Sequence, residues 1–294
     1  MVLSTHNNSK RQDIEIAKGI GIILVIIGHV QAFGPVYDTI YLFHMPLFFV
    51  IAGLFLRPED SIKKFMSKKY YRLIEPIIYY SFILIPLYIT YTIIVNFHDL
   101  TIRQVLYAIK PFNYDVPLWF SVVLFATLAL LQYPIRKRNS KVILVFLISC
   151  FIITEFVVLG WIPYVPYFAQ ILFACLFVGL GYALRKVFLS KIIWIELVLV
   201  TVSGLLMVLA ILNHIEFDIN AWIVDNNVLV NLLVGLSGSY IVIFLSRMMM
   251  NRKIAKPLLY LGESSFIIYC LHWPMVKILW PILPPPPIQH QSHI

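Results

Sequence analysis

Lys18-Gly19-Ile20-Gly21-Ile22-Ile23-Leu24-Val25-Ile26-Ile27-Gly28-His29 is the body of the first strongly apolar segment of a 294-residue chain. A stretch this apolar reads as a membrane helix, where a terminal cation and an internal imidazole are both costly to keep. At about 100° per residue, the path from Lys18 to His29 turns through roughly 1100°, about 20° from three full turns, so both side chains share one helix face. They stand about 16 Å apart along the axis, at about 1.5 Å per residue. An anion-holding helix end and a buried base on one face make half of an active site. The plain alternative is a snorkelling lysine and a hydrogen-bonded packing histidine.

Composition excludes a water-soluble globule: 61% of residues are hydrophobic, 13% are charged and the mean hydropathy is +0.87. Apolar segments at 18–36, 39–56, 74–97, 116–134, 142–160, 164–184, 192–212, 228–247 and 257–280 are each about long enough to cross a ~30 Å hydrocarbon core. The expected fold is an all-α polytopic transmembrane bundle: a polar tail over 1–17 with a helical turn from Asp13 into Lys18, a membrane domain over 18–280 and a proline-rich tail over 281–294. The connections 57–73 and 98–115 are too short to fold alone and read as interfacial helices or lids. The net charge of +9 raises the question of nucleic acid, but nineteen of the 23 cations fall in one set of alternating loops. That bias places the N-terminus in the cytoplasm of a multi-pass protein of the cell membrane and leaves nothing to assign to nucleic acid. Cys150, Cys175 and Cys270 lie in apolar runs without metal-ligand spacing and read as packing residues. The first apolar segment has no small-residue cleavage site after it and is expected to be retained.

Counting from helix ends places His29, His44 and His272 in one layer of the membrane, and the short 34–38 turn makes the first two helices an antiparallel hairpin. Three readings follow. A metal site lacks any His-x-x-His or Glu-x-x-His pair. A proton relay in a transporter or flippase fits ionisable groups at mid-depth. A neutral imidazole can also act as general base or nucleophile toward a hydroxyl. Lys68, Lys69 and Arg72 lie at the same interface as Lys18. They are either a topogenic cluster facing lipid phosphates or a site for a phosphorylated donor whose reactive end reaches His29. Trp119 opens a helix at the opposite interface, where aromatic belts occur; Phe43 and Met45 read as packing residues, and Glu155 and Glu263 have no assigned role.

Lys18-x10-His29 resembles the Arg/Lys-x10-His signature of the acyltransferase-3 family of membrane acyltransferases. Phe43-His44-Met45-Pro46-Leu47-Phe48-Phe49-Val50-Ile51-Ala52-Gly53 is similar to that family's second-helix motif, with Ala52 where Ser is common. Tyr71-Arg72-Leu73-Ile74-Glu75-Pro76, Leu118-Trp119-Phe120 and the run from Leu261 to His272 also match in order, so the resemblance spans nearly the whole chain. The most similar subgroup is the fucose 4-O-acetylase-like one. The resemblance implies about ten helices and an enzyme that moves an acetyl or longer acyl group from cytosolic acyl-CoA to a hydroxyl of an extracytoplasmic sugar, lipid-linked or already polymerised. It implies His29 as the essential imidazole, Lys18 as its paired cation, and Lys18, Lys69 and Arg72 as contacts for CoA phosphate. His44 is a second catalytic choice. Trp119 and His272 are expected at the acceptor, and Asp13 matches an acidic position that holds Lys18 or meets substrate. No metal is expected.

Overall fold

The computed structural model describes residues 5–30, 34–80, 82, 86, 90, 118–225 and 227–279. The elements are α1 (Thr5–Val30), α2 (Pro35–Tyr41), α3 (His44–Leu54), α4 (Ile62–Leu73), α5 (Trp119–Arg136), α6 (Ser140–Val158) and α7 (Phe168–Ala183), then α8 (Arg185–Phe188) and α9 (Ile193–Leu212). A short hairpin of β1 (Phe217–Asp218) and β2 (Ile223–Val224) precedes α10 (Val228–Met249), α11 (Ala255–Glu263) and α12 (Ser265–Leu279). The protein is therefore nearly all-α, as the apolar periodicity requires.

α1 takes the centre of the bundle because glycines let other backbones reach it. A Cβ on Gly19 would overlap the carbonyl oxygen of Leu258, and one on Gly262 would overlap that of Glu15, so α1 and α11 touch main chain to main chain. The helix starts at Thr5, well before the single turn expected from Asp13, because no proline or glycine interrupts 5–18 and Ile14, Ile16 and Ala17 are buried. Gly53 and Gly181 join α3 to α7 in the same way, each placed against backbone of the other helix. α6 and α9 are apolar but outward-facing; Trp194 is 74% exposed and Leu144 58%, which is the pattern of a lipid-facing surface.

Two expected single helices are broken. The 39–56 segment divides at Leu42 and Phe43 into α2 and α3, where Pro46 in the first turn of α3 has no N–H to continue the ladder. The 257–280 segment divides at Ser264 into α11 and α12. Among the described residues five helical stretches are long and apolar enough to cross a membrane: Pro35–Leu54, Trp119–Arg136, Ser140–Val158, Ile193–Leu212 and Val228–Met249. The expected span 74–97 falls largely outside the described residues. The 57–73 connection carries a helix, α4, capped by Ser61, whose hydroxyl accepts from Lys64 N at 3.3 Å. Glu155, unassigned from sequence, accepts from Val228 N at 3.0 Å and so caps the start of α10.

The candidate active site

One stripe of α1 organises the interior. Lys18, Ile22, Val25 and His29 recur at four- and three-residue steps, so they line one helix face and open onto two cavities in turn. The first, about 220 Å³, is walled by Lys18, Ile22 and Val25 of α1, Met45, Phe48, Ile51 and Ala52 of α3, Leu73 of α4, Phe120 and Leu124 of α5, and Ser265, Phe266 and Tyr269 of α12. Among the described residues, only Lys18, Ser265 and Tyr269 bring side-chain oxygen or nitrogen atoms to these walls. The second, about 230 Å³, is walled by Val25, His29, Tyr37, Tyr41, His44, Met45, Trp119, Asp218, Asn220, Tyr269 and Trp273, and is far more polar. α1, α3, α5 and α12 each contribute to both, and Val25, Met45 and Tyr269 belong to both.

The three histidines converge as their expected depth requires. The rings of His29 and His272 have centroids 5.1 Å apart, and Trp273 meets His29 edge-on at 5.1 Å. Tyr41 stands between the other two, 6.4 Å from His29 and 4.6 Å from His44. His44 Nδ1 lies 2.9 Å from the carbonyl oxygen of Ile40, which also accepts from Phe43 N at 3.2 Å across the break between α2 and α3. His272 Nδ1 lies 2.6 Å from the carbonyl oxygen of Tyr269. A carbonyl can only accept, so both histidines carry a proton on Nδ1, and in the neutral form Nε2 offers a lone pair. His272 Nε2 is buried with no hydrogen-bond partner among the described residues, poised to accept from a hydroxyl or from His29.

At the other end, Lys18 Nζ pairs with Glu15 at 2.5 Å, both side chains 25% exposed. α4 delivers Leu73 to the cavity wall and carries Arg72 just before it and Lys69 one turn earlier. Burial, then the neighbouring Arg72 and Lys68, hold the Lys69 ammonium below the usual lysine range, against the pull of Glu59. Such a crowd of cations is a seat for an anion. Asp13 is placed elsewhere: it pairs with Arg247 at 3.5 Å and lines neither cavity, while Glu15 takes the position beside Lys18. Arg247 also binds Glu196 at 2.6 Å and the carbonyl oxygens of Phe188 and Ser190, tying α1, α9 and α10 together. Trp119 is 6% exposed and faces the histidine cavity, so it is no part of an interfacial belt.

The hairpin supplies residues that the sequence alone does not single out. Asp218 Oδ1 accepts from Asn220 N at 2.7 Å and Ala221 N at 3.2 Å, an Asx turn that shapes the loop. Burial pushes its carboxyl up, against the backbone N–H groups of Ala221 and Asn220 that hold it down. Phe217 packs on Phe173 at 5.3 Å and Trp222 stacks on Tyr164 at 5.2 Å, anchoring the turn so that Asp218 and Asn220 reach the histidines. Among the described residues no three His, Cys, Asp or Glu side chains form a metal-holding group.

Fold and site together define a helical membrane protein with a histidine-lined chamber joined by one helix face to a cationic end. Residues 11–292 match the Acyltransferase domain of the acyltransferase-3 family, and the chain belongs to that family of membrane acyltransferases. No curated protein and no solved structure matches it.

Proposed function

We propose that this protein is an O-acyltransferase of the fucose 4-O-acetylase-like kind, moving an acetyl group from cytosolic acetyl-CoA to a hydroxyl of an extracytoplasmic sugar in a surface polysaccharide or glycolipid. The membrane is the bacterial plasma membrane, the N-terminus is cytoplasmic, and nine to ten helices cross it. The supporting observation is the pair of cavities that share Val25, Met45 and Tyr269 along the stripe from Lys18 to His29. A donor held by its phosphates at Lys18, Lys69 and Arg72 extends its thioester through the apolar cavity. The acceptor enters the polar one, where Trp119 and Trp273 offer ring faces and Asp218 and Asn220 meet hydroxyls, with His272 beside His29 at 5.1 Å between ring centroids. A partly exposed pair such as Lys18 with Glu15 is worth on the order of 1 kcal/mol or less, so an arriving phosphate can take the lysine over.

In the direct route, neutral His29 takes the proton of the acceptor hydroxyl as its oxygen bonds to the thioester carbonyl carbon. The carbon–sulfur bond breaks, the thiolate of CoA leaves, and the imidazolium returns the proton to sulfur. The alternative route acylates His29 first and frees CoA before the acceptor reacts. A trapped acyl-histidine and ping-pong kinetics mark the second; a ternary-complex rate law without the adduct marks the first.

The test is release of CoA thiol by protein purified into lipid discs and given acetyl-CoA alone, with water as the slow acceptor. Wild type is expected to turn over, and Lys18→Ala to need about tenfold more acetyl-CoA for the same rate, the loss of one charge-assisted hydrogen bond. Folded protein that neither binds nor consumes acetyl-CoA would favour the proton-coupled transporter or flippase instead.

A pH dependence follows from Lys69. Only its protonated form holds phosphate, and its pKa is lowered, so raising pH removes the charge below the ordinary lysine value of about 10.4. KM for acetyl-CoA is expected to climb on the alkaline side in wild type and to stay level in Lys69→Arg, whose guanidinium remains charged. Identical profiles would take Lys69 out of the donor site.

A further inference from the structure

Three side chains from three helices line both cavities: Val25 of α1, Met45 of α3 and Tyr269 of α12. Two of the three are fixed. Val25 is β-branched on a central helix and 3% exposed, with one favoured rotamer. Tyr269 is 7% exposed and held by ring contacts to Phe120 at 5.7 Å, Phe266 at 5.8 Å and His272 at 6.1 Å. Met45 differs. It is only partly buried, unbranched with three rotatable bonds, and sits in the first turn of α3, just after the break that ends α2. Of the three, only Met45 can leave the contact without a helix moving. The chambers it divides also differ in kind, since one is almost wholly apolar and the other carries His29, His44, Asp218 and Asn220.

We propose that Met45, closing against Val25 and Tyr269, decides which acyl groups pass from the Lys18 cavity to His29 and holds the transferred group to acetyl. This rests on the acyl-CoA reading for its substrate, but not for the barrier itself. A group carried from one cavity to the other along the α1 stripe passes these side chains, and in the polar cavity a longer hydrocarbon tail meets histidines, a carboxyl and an amide in place of apolar walls. Exclusion of a chain by a close contact is worth about 10–200-fold per methylene in well-packed sites. Met45→Ala removes three heavy atoms, room for a chain about two carbons longer.

The experiment has two arms, both on the full chain in lipid. The first measures the barrier without any acyl chemistry. Ala52→Cys places a thiol in the Lys18 cavity, and a membrane-impermeant cationic methanethiosulfonate is applied to either face of sealed vesicles; the natural cysteines are all buried, and protein without the added cysteine is the control. With Met45 present, labelling is expected only from the Lys18 side; with Met45→Ala, labelling from the His29 side rises about tenfold or more, and Met45→Leu, similar in bulk, keeps the barrier. The second arm compares CoA release from acetyl-CoA and butyryl-CoA. Wild type is expected to prefer acetyl by at least about tenfold and Met45→Ala to show near parity. Unchanged sidedness of labelling and unchanged chain-length preference in Met45→Ala overturn the proposal. If wild type consumes no acyl-CoA, the donor reading fails and the labelling arm alone decides: new access in Met45→Ala supports the barrier, and equal access in both proteins overturns it.

Discussion

Replacing His29 with alanine is expected to lower acetyl-CoA turnover by about 10²–10⁴-fold while leaving the affinity for the donor within about twofold of wild type. The separation of the two effects follows from geometry. Lys18 and His29 stand about 16 Å apart on α1, and the proposed donor site draws its cations from α1 and α4, with no contribution from the imidazole. On the proposed mechanism, removing the ring deletes the base that takes the acceptor's proton and leaves the proposed anion seat intact, so kcat falls and donor binding does not. The other two histidines are poorer substitutes. His44 and His272 each tie Nδ1 to a carbonyl of their own helix region, which fixes both rings in place. Added imidazole is expected to restore part of the rate in His29→Ala, because the deletion leaves a ring-sized space beside His272 and Trp273. A folded His29→Ala protein that keeps more than a tenth of wild-type turnover would show that another group is the base.

The stripe from Lys18 to His29 was legible because it depends only on the helical period, which holds wherever a helix is unbroken. The convergence of His29, His44 and His272 was legible for a similar reason: depth follows from counting residues, and the short 34–38 turn forces neighbours. What the sequence hid were departures from regularity. Pro46 signals a break in the 39–56 run without fixing it at Leu42 and Phe43, and the polar run Glu263-Ser264-Ser265 is too brief to part α11 from α12 in an otherwise apolar pattern. The hairpin has strands of two residues, too short for any alternation to register, and its reach to the histidines depends on Phe217 and Trp222 packing onto distant α7 and Tyr164. Asp13 illustrates a third obstacle. Its partner Arg247 lies at the far end of the chain, so proximity in sequence pointed to Lys18, which Glu15 holds instead. Met45 read as packing because an apolar residue in an apolar run carries no mark of the cavities it divides.

Gly262→Val is expected to prevent assembly of the bundle, and Gly262→Ala to yield protein that denatures at lower temperature and has lost most activity. A Cβ at this position falls on the carbonyl oxygen of Glu15 and 3.1 Å from the N of Gly19, the acceptor and donor four residues apart whose hydrogen bond holds that turn of α1. Ordinary overpacking costs about 1–3 kcal/mol because side chains can shift; here the obstacle is helix backbone, which can yield only by breaking its own ladder or by moving the whole of α11 away. Either response reaches the site. α11 leads directly through Ser264 into α12, which carries Ser265 to the Lys18 cavity and His272 to its place 5.1 Å from His29. Displacing it opens the first cavity and separates the imidazoles together, so activity falls even where the protein still folds. Gly204→Ala is the matched control: nothing lies within 4 Å of an added Cβ there, and alanine is the better helix former by about 1 kcal/mol, so that variant is expected to be as stable as wild type or slightly more so. Thermal denaturation and yield of monodisperse protein measure both. If Gly262→Val matched Gly204→Ala in stability, α1 and α11 would not meet backbone to backbone, and the placement of Lys18 beside α12 would fall with that contact.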